Sequence, residues 1–548
     1  MIYRLGARSL VFLLVAWGLG GCTSTSAQDS GGELLPEQAA YDVFHYDLAV
    51  RVAPAHQRID GRLTVRAAVE DSLEHLVLNL DRRLSVRRAW EDGRRAARRS
   101  VTRKNNENEL WIALGSPHAP GDTITMTVPY GGAPRVAPNA PWDGGLTWAQ
   151  TPAGAPWIAT SGQTEGADLW WPVKDHPSDE PDSMDIAITV PDALVAASNG
   201  RLRSVDRASD STETYRWHVS TPINTYNVTL NTAPYARLDT TYASTSGTSV
   251  PVAAYVLPAD SARAARALPG FLDQVRFLEE TLGPYPPRAD KYGIAQTPFL
   301  GMEHQSLIAY GHDFASGGLG YDAPFDALHF HELAHEWYGN FVTAQDWKDF
   351  WLHEGTATYL EALYAEHVEG DPGYHELTTY FRAQVAGGTA IARTGPTTAE
   401  SIYHRDVYFR GAMLLHTLRY LVGEEAVRTL LRRFVYPEGR TAGSGAAFRP
   451  VTTSDFIKMA EAIAGRSLRA FFEVYLYRAP LPKLETSQSD GTLTLEWTDT
   501  GDVSFEVPVP VQIRDTTRRV RMVGGTGQIA VPSGAEVEVD PQGWLLRR

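Results

Sequence analysis

Three residues between positions 331 and 354 have the types and the spacing needed to bind one metal ion. His331 and His335 are four residues apart, so on an α-helix they lie on one face, a turn apart. After eighteen more residues Glu354 offers a carboxylate, far enough along for the chain to reverse and begin a second helix. Two histidines and one carboxylate are a ligand set that Zn²⁺ accepts while keeping a fourth position open, which is typical of a catalytic site.

Glu332 lies inside the same pattern, His331-Glu332-x-x-His335, but is not a ligand. Its carboxylate can take a proton from a water that the metal has polarised, while zinc acts as a Lewis acid on a carbonyl. The alternative is a chance match on a charged amphipathic helix. A spaced glutamate within Trp351-Leu352-x-Glu354-Gly355 makes chance the poorer explanation, so the sequence predicts one hydrolytic Zn²⁺ per chain.

The elements that carry these residues are two helices, predicted at residues 323–339 and 354–368. Glu361 lies seven residues after Glu354, hence on the same helix face, and Asp349 precedes that helix. Either acid can orient a zinc-binding histidine, or can be an exposed salt-bridge partner. His329 and His353 flank the motif at the wrong spacing for the ion, so we expect them at the surface or at helix caps.

The rest of the chain predicts an α+β multidomain protein. Residues 37–236 show period-two alternation typical of β-sheet, residues 237–478 are mainly helical, and residues 479–548 resemble a small β-sandwich. The Gly/Pro/Ala-rich stretch at 131–145 is too long for a hairpin and predicts a surface or site-lining loop. Strands are predicted at residues 63–69, 76–80, 123–128, 184–190, 226–230, 493–497, 503–507, 520–523 and 537–539.

The N-terminus predicts export. Basic residues, an apolar run over 10–19 and small residues before Cys22 form a signal peptide over 1–21, ending as a bacterial lipobox does, with the only cysteine of the chain in the lipidation position. We expect lipidated Cys22 and a flexible tether over 22–36, which attach the chain to a membrane facing the periplasm or cell surface. Cleavage after Ala27, giving a soluble periplasmic or secreted protein, is the alternative. The net charge of −15 disfavours nucleic acid as a partner.

Four motifs, in order, resemble the aminopeptidase N type of gluzincin zinc metallopeptidase, a family that includes the leukotriene-hydrolase branch. Beside the zinc signature, Gly301-Met302-Glu303-His304 resembles the exopeptidase motif Gly-x-Met-Glu-Asn, with His304 where asparagine is usual. The other two matches are Gln163-Thr164-Glu165, which resembles Gln-x-Glu, and Tyr408-Phe409-Arg410-Gly411, which resembles Tyr-x-Lys-Gly.

The resemblance implies an N-terminal β-sheet saddle domain, a thermolysin-like catalytic domain and hydrolysis of N-terminal residues from peptides. Glu303 and Glu165 would hold the cationic amine, with Gln163 in support, while Gly301 and Met302 would pair with the substrate backbone as an edge strand. Tyr408 would donate its hydroxyl to the oxyanion. Tyr403 is a weaker candidate, for the wall of the site.

Two other functions fit parts of the pattern. A gluzincin endopeptidase or epoxide hydrolase would use the same zinc motif, and a catalytically inactive binding module would keep the scaffold but typically loses a ligand or the base. Only about seventy residues follow residue 478, so we expect a short form without the large helical C-terminal domain of most family members.

Overall fold

The computed structural model describes residues 29–91, 98–105, 107–437 and 448–548. The predicted signal peptide, Cys22 and residues 438–447 of a loop predicted at 437–447 lie outside these ranges. The described chain runs from β-sheets through a mainly helical region to a second set of short strands. The predicted α+β fold class is therefore confirmed.

The N-terminal region is built on a nine-stranded sheet. Alternation in the sequence explains it: along Arg58–Val69, Leu63, Val65 and Ala67 are fully buried while their neighbours are not. Its strands are, in spatial order, Arg201–Arg207, Thr212–Val219, Ser183–Pro191, Tyr41–Ala53, Arg58–Val69, Thr123–Gly132, Ala89–Glu91 and Arg98–Arg99, with Leu84–Val86 also paired to Thr123–Gly132.

Two smaller sheets complete this region. One contains Leu73–Asn79, Glu109–His118 and Val101–Lys104, and the other contains Gly145–Gln150, Pro156–Ser161, Asn231–Ala233 and Val195–Ala197. The strand predicted at 226–230 is wrong. Residues Thr225–Asn227 form a 3₁₀ turn, capped by the Asn224 side chain, which accepts from the Tyr226 N–H. Every residue from 223 to 233 is buried, so no alternation distinguishes one face from the other.

The central region, residues 237–478, combines a five-stranded sheet with helices. The sheet was not expected from the sequence, because three of its strands have five residues or fewer and are buried at every residue. Its order is Ala236–Ala243, Ser249–Val256, Tyr292–Gln296, Ile308–Tyr310 and Gly301–Met302, which places the last strand at an edge. A separate pair joins Val342–Ala344 to Arg449–Val451.

Ten α-helices are assigned in the described residues, and none of them has the length and apolar character that crossing a membrane requires. They are α1 Pro36–Ala39, α2 Ser261–Leu282, α3 Ala327–Ala334, α4 Trp351–Glu369, α5 Asp371–Gln384, α6 Ala399–Ile402, α7 Asp406–Val422, α8 Glu424–Val435, α9 Thr453–Ala464 and α10 Arg469–Phe472.

Helix α3 is shorter than the predicted 323–339. Asp326 begins it by accepting the N–H of His329 in an N-cap bond, and the regular hydrogen bonds end at Ala334. His335 follows with helical dihedrals, so it still lies one turn after His331. Helix α4 covers the prediction at 354–368 and begins three residues earlier.

Helices α4 and α7 approach each other through two glycines. A Cβ built on Gly355 would lie 2.7 Å from the Cα of Gly411 and 3.0 Å from the carbonyl oxygen of Val407. Only glycine allows this backbone contact. Because Gly355 follows Glu354 and Gly411 lies one turn after Tyr408, the contact sets the distance between the two helices that carry those residues.

Arg410 joins α7 to the segment that follows α10. Its guanidinium is fully buried and donates to five backbone carbonyls, those of Tyr475 (2.9 Å), Thr389 (3.0 Å), Ala479 (2.8 Å), Val474 (3.3 Å) and Arg478 (2.6 Å). Arginine presents five N–H donors in a planar fork, which lysine does not. A structural role therefore explains arginine at the position where the family pattern has lysine.

The C-terminal residues form two three-stranded antiparallel sheets, one of Lys483–Ser489, Thr492–Thr498 and Thr526–Ala530, the other of Thr516–Val520, Val509–Ile513 and Val537–Val539. The strand predicted at 503–507 is absent from this described segment; Phe505 and Val507 are instead buried in an irregular stretch. Both belong to one hydrophobic core with the helices of the central region, so the small sandwich is packed against that region.

The first described residues differ from the predicted flexible tether over 22–36. Ser30 is 2% exposed, and α1 begins at Pro36 with Gln38 buried. The Nε2 of Gln38 donates to the side chain of Asn79 (2.8 Å). Residues 29–32 and Gln38 are therefore packed against the body, whereas Glu33 and Pro36 are exposed.

Adding one methyl group at the glycine contact tests how tightly it is packed. We expect Gly355→Ala to destabilise the protein by about 1–3 kcal/mol, because backbone atoms on both helices must shift to admit the new Cβ. Gly270→Ala in α2 is the matched control: its Cβ meets nothing within 4 Å, and an alanine in a helix is neutral or stabilising. The midpoints of thermal unfolding measure both, and equal midpoints would contradict the close contact.

Candidate metal centre and substrate site

The three predicted ligand atoms converge on one point. Nε2 of His331 and Nε2 of His335 are 3.2 Å apart, and Oε2 of Glu354 lies 3.3 Å from the first and 3.4 Å from the second. All three side chains are buried. Helix α3 supplies the first histidine, its C-cap supplies the second, and the first turn of α4 supplies the carboxylate.

The opposite ring nitrogens of both histidines are occupied. Nδ1 of His331 faces Oε1 of Glu361 (2.7 Å), and Nδ1 of His335 faces the carbonyl oxygen of Tyr338 (3.0 Å). Because a carboxylate or carbonyl oxygen only accepts, each Nδ1 carries a hydrogen. Nε2 is therefore the atom of each ring that can bind a metal ion, and the two Nε2 atoms face each other and Glu354.

Lone pairs and a carboxylate at this separation repel one another unless a cation lies between them. Around a tetrahedral zinc ion with bonds of about 2.0–2.1 Å, neighbouring ligand atoms are about 3.3 Å apart. The three separations, 3.2, 3.3 and 3.4 Å, match that value. His331, His335 and Glu354 therefore fit Zn²⁺, with the fourth position of the tetrahedron left to a water or a substrate.

Glu332 projects beside the ligands and against the edge strand. A Cβ built on Gly301 would lie 2.5 Å from Oε1 of Glu332, so the absence of a side chain at 301 makes room for this carboxylate. Burial raises the pKa of Glu332 to about 8, and the neighbouring histidines oppose that shift. Its position next to the open face of the metal site suits a general base.

Glu303 lies next to both the base and a ligand. Its carboxylate oxygen is within 4.8 Å of ligand atoms of Glu332 and His335, and the side chain is 3% exposed. Oε1 of Glu303 accepts from the Tyr226 hydroxyl (3.2 Å) and from Nε2 of Gln163, which also donates to Oε1 of Glu354 (2.9 Å). Burial raises the pKa of Glu303 to about 7, so a cation beside it is needed to favour its charged form.

Glu165 takes a different position from the predicted pairing with Glu303. Its Oε1 forms an ion pair with Nη1 of Arg135 (2.6 Å), and its Oε2 accepts the N–H of Gly144. Both partners belong to the loop predicted at 131–145, which therefore contacts the Gln163-Thr164-Glu165 segment. In this structure Gln163, two residues earlier, is the side chain that reaches Glu303.

Tyr408 packs against a histidine of the metal site. Its ring stacks on that of His331, with centroids 6.1 Å apart and planes at 23°, and its hydroxyl is 3.0 Å from that of Tyr403. Burial raises the pKa of Tyr408 well above its ordinary value, which keeps the hydroxyl protonated and able to donate. Tyr403 thus contacts the hydroxyl of Tyr408 directly, whereas the sequence predicted only a place in the wall of the site.

The two predicted supporting acids behave differently. Glu361 contacts His331, and it also accepts the hydroxyl hydrogen of Tyr321. Asp349 does not support a histidine, which corrects the prediction. It lies in the 3₁₀ turn before α4, facing α9, and its Oδ1 accepts the N–H of Thr453 (2.9 Å).

The remaining histidines near the motif are buried, contrary to the expectation of surface or capping positions. His329 stacks on Phe271 with ring centroids 3.7 Å apart, and Nε2 of His353 accepts the N–H of Ala344 (2.7 Å). His304 is 1% exposed, and among the described residues neither of its ring nitrogens has a hydrogen-bond partner. Burial lowers its pKa to about 3, so the ring is neutral.

Sequence reasoning missed two contributors to the site. Tyr226 fell within a predicted strand, and no spacing connects it to Glu303, 77 residues later. The carbonyl of Tyr338 is a backbone group that any residue would supply; the turn after α3 places it. Neither carries a signal in the sequence pattern.

The contact between Glu361 and His331 predicts a measurable effect on metal binding. Because loss of a partner of a ligating histidine weakens metal affinity, we expect Glu361→Gln to bind zinc roughly 10- to 100-fold more weakly. Asp349→Asn is the control, an equally buried acid that contacts α9 instead. Competition with a chelator measures both affinities; equal values would remove Glu361 from the site.

Comparison with known proteins agrees with this geometry. The model of the Peptidase M1 N-terminal domain matches residues 43–227, and that of the Peptidase family M1 domain matches residues 283–475. Aminopeptidase N of Streptomyces lividans is 27% identical over 307 residues, 50% of this chain and 33% of that protein. Human aminopeptidase N is 28% identical over 171 residues, 28% of this chain and 18% of that protein. The matched part thus spans a third or less of these curated relatives.

Solved structures match over a greater length. The crystal structure of an M1 zinc metallopeptidase from Deinococcus radiodurans bound to a Tyr-Ser-Ala substrate has a TM-score of 0.66 and 25% sequence identity, covering 82% of this chain and 98% of that one. A two-domain M1 zinc metallopeptidase bound to L-tryptophan gives the same TM-score. Both family models and these structures span the two regions that meet at the metal site, and the chain belongs to peptidase family M1, the aminopeptidase N type of gluzincin zinc metallopeptidase.

Proposed function

We propose that this protein is a zinc-dependent aminopeptidase that removes N-terminal residues from peptides. The observation that carries the proposal is the position of the Glu303 carboxylate, within 4.8 Å of Glu332 and His335. The amine nitrogen and the carbonyl carbon of one amino acid are only about 2.5 Å apart. A peptide amine held at Glu303 therefore leaves only its first carbonyl beside the metal ligands and the base.

Binding of the amine relies on compensation of buried charge. The α-amino group of a peptide is a cation near neutral pH, and Glu303 with its neighbour Gln163 offers it a buried carboxylate and an amide oxygen. A neutral mid-chain amide would leave Glu303 without a counter-charge. Glu165 can add to this attraction when its ion pair with Arg135 opens.

The chain's own residues divide the chemistry. When bound by His331, His335 and Glu354, zinc supplies a Lewis acid that polarises the first carbonyl and the attacking water. Glu332 accepts a proton from that water and passes it to the nitrogen of the leaving peptide. Tyr408 donates its hydroxyl hydrogen bond to the carbonyl oxygen as negative charge develops there.

Replacement of Glu303 separates an aminopeptidase from its alternatives. On a panel of aminoacyl reporters we expect Glu303→Ala to lower kcat/KM roughly 10- to 100-fold, because a hydrogen-bonded charge pair with the amine is lost. Glu165→Gln, whose carboxylate Arg135 already neutralises, should lose less, and the exposed Glu425→Ala should lose nothing.

Each other outcome points elsewhere. Activity that survives Glu303→Ala would favour an endopeptidase or epoxide-opening enzyme. Zinc-loaded wild-type protein that turns over no reporter and no peptide would favour a binding module on the same scaffold. Full loss of activity on chelation, restored by zinc, is expected for both kinds of enzyme.

We further propose that the protein is exported and anchored by lipid on Cys22. The support is the order of a basic start, an apolar run and small residues before the sole cysteine. In cells fed labelled palmitate, we expect the wild-type chain to be labelled and membrane-bound, and Cys22→Ala to lose both properties. An unlabelled soluble wild-type protein that begins at Gln28 would instead support cleavage after Ala27.

A further inference from the structure

The first described residues occupy the seam between the N-terminal and catalytic domains. We call residues 29–32, Asp-Ser-Gly-Gly, the N-terminal clasp. On one side, the N–H of Ser30 donates to the carbonyl of Thr164 (3.5 Å), and the carbonyl of Gly32 accepts from Nε2 of His176 (3.1 Å). Thr164 lies between Gln163 and Glu165, so the clasp contacts the backbone of the motif that enters the site.

On the other side the clasp binds the catalytic domain just before Tyr403. The N–H of Ala399 donates to the carbonyl of Ser30 (3.0 Å), and the N–H of Glu400 donates to Oδ1 of Asp29 (2.9 Å). These two amides belong to the first turn of α6. The side chain of the N-cap residue, Thr398, forms no capping hydrogen bond with this turn. The clasp thus supplies acceptors that the helix start requires.

Trp347 is the centre of the contact. Its Nε1 donates to the hydroxyl of Ser30 (3.1 Å), and a Cβ built on Gly31 would lie 2.3 Å from its Cδ1 atom. Gly31 has φ of +83° and pairs with Thr398 in an isolated bridge. Only glycine combines this backbone conformation with this contact.

One aromatic contact connects Trp347 to the amine-binding carboxylate. Its ring lies 5.6 Å from that of Tyr226, whose hydroxyl donates to Oε1 of Glu303 (3.2 Å). Both rings are buried, so a shift of the indole displaces the phenol that holds Glu303.

A second route leads from the same indole to the oxyanion donor. The ring of Trp347 contacts that of Phe350 edge-on, with centroids 5.2 Å apart, and the centroids of Phe350 and Tyr403 are 5.9 Å apart. The hydroxyl oxygens of Tyr403 and Tyr408 are 3.0 Å apart. The clasp therefore contacts one side chain from which packed neighbours lead to both the amine site and the oxyanion site.

We propose that the N-terminal clasp is a positioning segment for catalysis: by filling the seam against Thr164, Trp347 and α6, it keeps Glu303 and Tyr408 aligned over the metal site. The inference rests on the proposed aminopeptidase function. It assigns residues 29–32 a role within the working enzyme, beyond that of a connector between an N-terminal signal and the folded body.

The test compares two full-length valine variants. Gly31→Val places a branched side chain against Trp347 and expels the clasp. Gly121→Val is the matched control, because Gly121 has φ of +92° but its Cβ would meet nothing within 4 Å. On an aminoacyl reporter we expect kcat of Gly31→Val to be about tenfold below that of Gly121→Val, because Tyr408 acts after substrate has bound, and we expect KM to rise as well, because Glu303 binds the amine.

Two further readouts separate positioning from loss of structure. We expect zinc content to match between the two variants and Gly31→Val to stay fully folded at the assay temperature, although the loss of the clasp contacts lowers its midpoint of thermal unfolding. The amides of Ala399 and Glu400 should exchange hydrogen faster only in Gly31→Val. Ser30→Ala, which removes one hydroxyl acceptor, provides a milder variant in case Gly31→Val does not fold; we expect its kcat to fall about threefold.

Several results would overturn the proposal. These are an equal kcat in the two valine variants, an unchanged kcat in Ser30→Ala, or a fall in kcat that is matched by lost zinc or by an equal fraction of unfolded protein at the assay temperature. Fast exchange of Ala399 and Glu400 in the wild-type protein would show that the clasp is not seated. A wild-type chain that turns over no reporter would instead refute the proposed function, and the exchange data would still report on the clasp.

Discussion

The site depends on holding three electron-rich atoms, two imidazole nitrogens and a carboxylate oxygen, within 3.4 Å of one another. Such atoms repel, so the protein must supply structure that keeps them together before a cation compensates them. Glu361 and the carbonyl of Tyr338 do this by setting the tautomers, so that both Nε2 atoms face inward. The close packing of α4 on α7, at Gly355 and Gly411, sets the distance between the helices that carry Glu354 and Tyr408.

Two domains meet at this site, and a side chain from the N-terminal domain contacts a metal ligand. Gln163 comes from the N-terminal domain, yet its amide donates both to Glu354 and to Glu303. One side chain thereby links the metal ligand to the carboxylate that suits a peptide amine. The seam between the domains is consequently part of the active site, and residues that pack in it, including Trp347 and the N-terminal clasp, contribute to its geometry.

Local patterns in the sequence predicted much of this. The spacing of four placed His331 and His335 on one helix face, and the spacing of seven placed Glu361 where it contacts His331, because both follow from 3.6 residues per turn. The strands that alternate in burial, such as Arg58–Val69, were predicted for a similar reason. Asp349 shows the limit: it precedes α4 outside any helical periodicity, so nothing in the sequence decided that it faces Thr453.

Secondary structure could not be predicted from periodicity where a segment is buried on all sides. The strands Tyr292–Gln296 and Ile308–Tyr310 and the turn at Thr225–Asn227 are buried at every residue, so neither period two nor period 3.6 distinguishes a face. By itself the sequence determined the metal ligands, the base and the order of the domains, because these depend on residue type and short-range spacing. Only the tertiary structure decided that Glu165 pairs with Arg135, that Gln163 and Tyr226 hold Glu303, and that residues 29–32 fill the seam. Those contacts join residues far apart in the chain, and they exist only once the domains have packed.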